Sequence, residues 1–174
     1  MLFRSYWKPT PLSRDHKPED PDEAQRIKLC GGRVEQSKLL PGMGILGRAM
    51  IASGTQYYGP KRVWLKNKQV PGLAMTRSLG DFLAKTVGVT FEPEIMVFAN
   101  LIETDKAIVI ASDGIWDRIP NEEIASVVKT FYDRRDSNGA CQELTRISVE
   151  RWQKDHGMVD DITVIVIFLN PTAA

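Results

Sequence analysis

The feature that most constrains this chain is the stretch Lys106-Ala-Ile-Val-Ile-Ala-Ser-Asp-Gly-Ile-Trp-Asp117. Residues 107–111 form a short, unbroken apolar run rich in β-branched side chains, which fits a strand buried on both faces. The run stops abruptly at Ser112-Asp113-Gly114. A strand that ends in a carboxylate and a glycine delivers charge to the rim of a core. Gly114 either lets the chain turn sharply or lets its backbone come close to something bound there. A desolvated carboxylate is costly unless it is hydrogen-bonded, paired or bound to a cation. Asp113 is therefore the cap of a turn or a metal ligand, and Asp-Gly after a strand is first of all a turn signal.

A second run of the same kind closes the chain. Asp160-Asp161-Ile-Thr-Val-Ile-Val-Ile-Phe-Leu169 is nearly all apolar, with two carboxylates at its start. If the two strands are antiparallel neighbours, the exit of the first and the start of the second lie at one edge of a sheet. Two such charges ~4 Å apart repel by ~4 kcal/mol at an effective dielectric of about 20, which favours a divalent cation or a shifted pKa. Oxygen-only ligands select hard ions such as Mg²⁺ or Mn²⁺. The bland reading, that Asp113, Asp160 and Asp161 merely cap turns, stays open here.

Elsewhere the pattern alternates between helix and strand. Residues 1–18 read as extended or loop, broken by Pro9, Pro11 and Pro18. Asp20 as N-cap, Pro21 at the first helical position and Glu23 three residues after the cap predict a helix ended by Gly31-Gly32. Ala24, Ile27 and Leu29 or Cys30 form its apolar side. Residues 35–62, rich in Gly and Pro yet apolar, read as a surface excursion that packs as a flap. Short strands are expected at residues 63–65, 87–90 and 93–98, with a turn at Pro71-Gly72. Ile124, Val127, Val128 and Phe131 recur at helical spacing behind an Asn121 cap. A further helix from residue 137 or 138 to 154 would bury Ala140, Leu144, Ile147 and Trp152. Strands on either side of two helices indicate α/β or α+β layers.

Composition excludes several partners. With 23 Lys+Arg against 22 Asp+Glu the formal net charge is +1, so neither nucleic acid nor an acidic membrane surface is expected as a partner. The longest apolar run, residues 162–169, is far too short to span a bilayer. The first residues hold no apolar stretch of signal-peptide length. An intracellular compartment, cytoplasmic or nuclear, is expected. Cys30 and Cys141 form no CxxC and read as two ordinary buried, reduced thiols. His16 and His156 have no neighbouring Ser, Cys or Asp in a recognisable elbow, and the sequence contains neither a P-loop nor GxGxxG.

Several motifs carry a resemblance. Pro71-Gly-Leu-Ala-Met-Thr-Arg-Ser-Leu-Gly-Asp81, Ala111-Ser-Asp-Gly-Ile-Trp-Asp117 and Asp160-Asp-Ile-Thr-Val-Ile-Val166 resemble three successive motifs of the metal-dependent serine/threonine protein phosphatases (type 2C, PPM family). Leu12-Ser-Arg-Asp-His-Lys-Pro18, followed by Glu23, Arg26-Ile27 and Gly31-Gly-Arg-Val34, is similar to the segment that precedes them, so the resemblance runs from about residue 10 to residue 169. It implies an α+β fold, a layered sandwich of two antiparallel β-sheets flanked by helices. It also implies Mg²⁺ or Mn²⁺, two per complete site, with Asp113 and Asp160 as ligands. The reaction implied is hydrolysis of phosphoserine or phosphothreonine in a phosphoprotein substrate by a metal-activated water, without a protein nucleophile. Asp81 matches an acidic position that supports the site, holds a further metal, or caps a turn. Asp161 stands where the family more often has Asn and is a supporting candidate. The 35–62 excursion sits where the family carries its variable flap.

The family's N-terminal third carries an Asp-Gly-His-Gly type motif, a phosphate-binding Arg and a Gly-Asp-Ser-Arg type motif, none of which this sequence contains. The expectation is a single domain over residues 1–174 holding the C-terminal two-thirds of a catalytic domain, incomplete at its N-terminal side. Weak or no activity and self-association through exposed strand edges are expected of the isolated chain. The alternatives are a non-catalytic binding or regulatory module on the same scaffold, and an unrelated α/β domain whose aspartates are turn caps.

Overall fold

The strands Ala107–Ala111 and Val164–Phe168 are antiparallel neighbours, with Ala107 opposite Phe168 and Ala111 opposite Val164. The computed structural model that shows this describes residues 1–37, 58–97, 104–156 and 158–169. In chain order its elements are β1 (Leu2–Phe3), a 3-10 turn (Ser5–Trp7), β2 (Pro9–Thr10), α1 (Pro21–Leu29), β3 (Gly32–Ser37) and β4 (Tyr58–Leu65). There follow β5 (Pro71–Leu73), α2 (Phe82–Lys85), β6 (Ala107–Ala111), α3 (Asp113–Trp116), α4 (Asn121–Tyr132), α5 (Ser137–His156) and β7 (Val164–Phe168). The fold class is α+β: one antiparallel sheet has the order β2-β1-β6-β7, the other β3-β4-β5.

The chain forms two compact units, one of Met1–Arg14 with Met96–Ala174 and one of Asp15–Ile95. In the first, α4 and α5 cover one face of the β1-β6-β7 sheet. Val109 and Val166 meet Ile124, Val128, Ala140 and Leu144 in a core whose members are at most 7% exposed. Trp7, Tyr132 and Phe168 close this core edge to face, with ring centroids 5.1 and 5.3 Å apart, and the Tyr132 hydroxyl donates to the Leu169 carbonyl. The opposite sheet face is a ladder of isoleucines, Ile108 across from Ile167 and Ile110 across from Ile165, and Ile110 is 55% exposed. The expectation of a strand buried on both faces is thus corrected. The two helices cover one side, and the unbroken apolar run hides a two-residue alternation.

In the second unit, Ile27, Val63, Ala84, Val87 and Val89 form the core. The helix start predicted at Asp20-Pro21 is observed, although Asp20 makes no side-chain cap and Leu29 is 79% exposed. Strands β3 and β4 pair over Gly32 to Ser37, so residues 35–37 and 58–62 of the irregular excursion expected at 35–62 are strand instead. Gly59, with φ +74°, and Pro60 are accommodated at the start of β4, where the register slips between Gln36 and Ser37. Residues 38–57, on which the rest of the flap expectation falls, lie outside the described residues.

Other local expectations shift for similar reasons. Pro71-Gly72 lies in β5, paired with β4. Residues 87–90 contribute a single bridge, Arg77 to Thr90. Residues 91–97 form no strand, since among the described residues no ladder partner meets them. The cap of α4 is Pro120, not Asn121, whose residue is already helical. Cys30 is exposed where the chain leaves α1, and Cys141 is half-buried, so neither is the buried thiol expected. Trp152 is also only half-buried.

Candidate metal centre

Because β6 and β7 run antiparallel with Ala111 opposite Val164, the exit of one and the start of the other share one end of the sheet. Asp113 follows the first strand by two residues, and Asp160 precedes the second by four. The connection is made by Ser112. Its N–H donates to the Thr163 carbonyl at 2.9 Å, and its Oγ accepts from the Thr163 N–H at 3.0 Å. The same hydroxyl donates to the Asp161 carbonyl at 2.9 Å.

Asp113 opens α3, and its carbonyl accepts from the Asp117 N–H at 2.8 Å. Gly114 comes next, and of its two readings the structure selects close approach. A Cβ on it would lie 2.4 Å from the Asp161 carbonyl oxygen and 3.0 Å from Ile162. What approaches is the chain's own backbone. The Gly114 carbonyl is held in turn by α5, accepting from Ser148 Oγ at 2.5 Å and Trp152 Nε1 at 2.9 Å. The Arg118 guanidinium stacks on the Trp152 ring at 3.6 Å.

Asp160 Oδ1 accepts from the Asp161 N–H at 2.8 Å. Asp113, Asp160 and Asp161 are all exposed. The desolvation argument for a cation therefore does not apply. Strand register, not burial, gathers these charges at one end. Beside them a groove of about 590 Å³ runs between α5 and the start of β7, lined by Thr145, Arg146, Ile162 and Thr163 among others. Arg146 is held there by Glu143 at 2.7 Å and Glu150 at 2.6 Å.

Asp81 belongs to the other unit. It stands at the N-cap of α2 with a left-handed backbone (φ 55°, ψ 47°), is exposed, and makes no side-chain cap bond. Its carbonyl accepts from the Lys85 N–H at 3.1 Å. The segment before it is tied to α1 by Glu23, which is fully buried. Arg26 grips the Glu23 carboxylate with both terminal nitrogens, at 2.8 and 2.6 Å. Arg77 Nη2 reaches it at 2.6 Å, and the Thr76 hydroxyl also bonds it. Arg26 first, then Arg77 and Thr76, hold this carboxyl well below the usual carboxylate range against the opposing effect of burial. The sequence presents Glu23 as half of a capping box. The side chain turns inward instead, because two guanidinium groups offer a stronger partner than one backbone N–H. His16 pairs with Glu94 at 2.9 Å.

Ser112, Ser148 and Trp152 were not legible as site-building residues. The one signal was a hydroxyl placed between an apolar strand and an Asp-Gly pair. Among the described residues no group of three or more His, Cys, Asp or Glu side chains converges as a metal cluster.

The family model described as Protein phosphatase 2C matches residues 1–157. The chain belongs to the protein phosphatase 2C family. "Probable protein phosphatase 2C 72" of Arabidopsis thaliana is 36% identical over 160 residues, covering 91% of this chain and 42% of that protein. "Probable protein phosphatase 2C 12" of Oryza sativa subsp. japonica is 36% identical over 172 residues, covering 98% of this chain and 39% of its own length. The chain thus spans less than half the length of these curated relatives. Among solved structures, the serine-threonine phosphatase 2C from Toxoplasma gondii superimposes with a TM-score of 0.63 at 22% identity, over 90% of this chain and 46% of that one. A C. elegans sex determining protein does so with a TM-score of 0.57 at 24% identity, covering 92% of this chain and 32% of the other. These likenesses show the protein phosphatase 2C fold.

The donor set fits the divalent ions of such a phosphatase in kind: carboxylate oxygens, solvent-accessible, at one end of two paired strands.

Proposed function

We propose that this chain supplies part of the active site of a metal-dependent protein serine/threonine phosphatase, with Asp113 and Asp160 as its share of the metal ligands. The observation that carries the reading is the β6–β7 register, which brings the two aspartate-bearing segments to one sheet end within a protein phosphatase 2C fold. Bound Mg²⁺ or Mn²⁺ supplies Lewis-acid polarisation of the phosphoryl group and of water. The chain's own residues do the holding. Ser112 and Gly114 fix the backbone from which Asp113 projects, and Asp160 orders the turn before β7. Asp161, with its carbonyl taken by Ser112, supports that turn, and Asp81 marks a second acidic position on the other unit. The substrate proposed is a phosphoprotein, and residues 38–57 with their flanks are proposed as the substrate- or partner-selecting flap of one catalytic domain.

A second reading, a non-catalytic binding module on the same scaffold, is favoured by one observation: no cluster of three metal-type side chains among the described residues. Turnover of a phosphothreonine peptide with Mn²⁺ tests the proposal. The isolated chain is expected to stay near background. Robust turnover abolished by Asp113→Asn would show that the chain holds a complete site and contradict the partial-site reading.

A further inference from the structure

The geometry points to Ser112 as a positioning residue that sets the spacing of Asp113 and Asp160, an inference that rests on the metal reading above. In an antiparallel ladder a hydrogen-bonded pair exchanges two backbone bonds. Ser112 and Thr163 make the first of these, Ser112 N–H to the Thr163 carbonyl at 2.9 Å. The second is rerouted: the Thr163 N–H donates to Ser112 Oγ at 3.0 Å in place of the Ser112 carbonyl. That carbonyl is thereby released for α3 and accepts from the N–H groups of Ile115 at 3.1 Å and Trp116 at 3.4 Å.

The side chain thus completes the sheet while the main chain begins the helix. Strand passes to helix within one residue, and Asp113 emerges directly at the sheet end. The same hydroxyl uses its own proton on the Asp161 carbonyl at 2.9 Å. One oxygen therefore joins the segment carrying Asp113 to the segment carrying Asp160 and Asp161. Alanine removes all of this, whereas threonine keeps a hydroxyl in reach. Since Ser112 is only half-buried, water takes over the abandoned groups in the alanine variant. Fold stability then changes little, while the aspartate spacing loosens.

Second-sphere partners of metal ligands are worth about 10- to 100-fold in metal affinity. The test is a Mn²⁺ titration of the 174-residue chain, read as the amplitude of the free-ion electron paramagnetic resonance signal, with the urea midpoint measured in parallel. Ser112→Ala is expected to weaken Mn²⁺ binding about 10-fold or more at a nearly unchanged urea midpoint, Ser112→Thr to recover most of it, and Asp113→Asn to abolish it. Wild-type affinity in Ser112→Ala, while Asp113→Asn still abolishes binding, overturns the positioning role and leaves the metal reading standing. The same holds if a folded Ser112→Thr binds no better than Ser112→Ala. Absence of binding by the wild-type chain overturns the metal reading and this inference with it.

Discussion

Gly114 and Asp161 are so closely apposed that a single added carbon on the glycine would lie 2.4 Å from the aspartate's carbonyl oxygen. Two segments 47 positions apart (161 − 114) are thereby held at one point of the sheet end. The contact sets how closely the backbones next to Asp113 and at Asp161 approach each other. Gly114→Ala gains helix propensity of up to about 1 kcal/mol, but overpacking against backbone, which cannot swing aside, costs about 1–3 kcal/mol. Net destabilisation is expected, read as a lower urea midpoint. An unchanged or higher midpoint would mean that the loop before β7 yields freely.

The Glu23 carboxylate in the other unit predicts a pH dependence. Its pKa is depressed by Arg26, then Arg77 and Thr76, from an ordinary value of 4.5. A depressed carboxylate contributes stability that is full above the unfolded-state value and is lost as pH falls through the folded-state one. Urea midpoints are therefore expected to hold from neutral pH down to about 5 and to drop below it. Glu23→Gln is expected to remove that part of the drop and to cost about 3 kcal/mol at neutral pH, since Arg26 and Arg77 lose their partner. A variant whose low-pH drop equals the wild type's would contradict the assignment.

The isoleucine ladder predicts association. Ile110, Ile165 and Ile167 are 55, 51 and 42% exposed, and among the described residues β7 is the end strand of its sheet. A flat apolar strand without charge or proline is a template for pairing. The isolated chain is expected to self-associate in light scattering, and Ile165→Lys to shift it toward monomer without loss of helical circular dichroism. A monodisperse wild-type monomer would contradict this.

Much of the β6–β7 half could be read from the residues alone. Two apolar runs flanked by carboxylates fix their own strands, and Ile124 to Phe131 and Ala140 to Leu144 mark the helices that cover them. The pairing of the runs was then the simplest arrangement for the acidic ends. Leu2–Phe3 and Pro9–Thr10 are too short to show a period of two, so β1 and β2 exist only through their neighbours. β3 and the start of β4 are masked by Gly59 and Pro60, whose conformations suit a register slip that no local rule announces. Ser112 was missed because its role comes from Thr163, 51 positions away, and Glu23 was misread because Thr76, 53 positions away, and Arg77 beside it join Arg26 in drawing it inward.

The central claim, that Asp113 and Asp160 jointly hold a hard divalent ion, is tested most directly by urea unfolding of the wild-type chain, Asp113→Asn and Asp160→Asn with and without Mn²⁺. A ligand that binds only the folded state stabilises it by RT ln(1 + [L]/Kd), ~1.4 kcal/mol at ten times Kd. The predicted result is a saturable Mn²⁺-dependent gain in the wild type that vanishes in both variants. A gain that survives both substitutions, or no gain in the wild type, would contradict it.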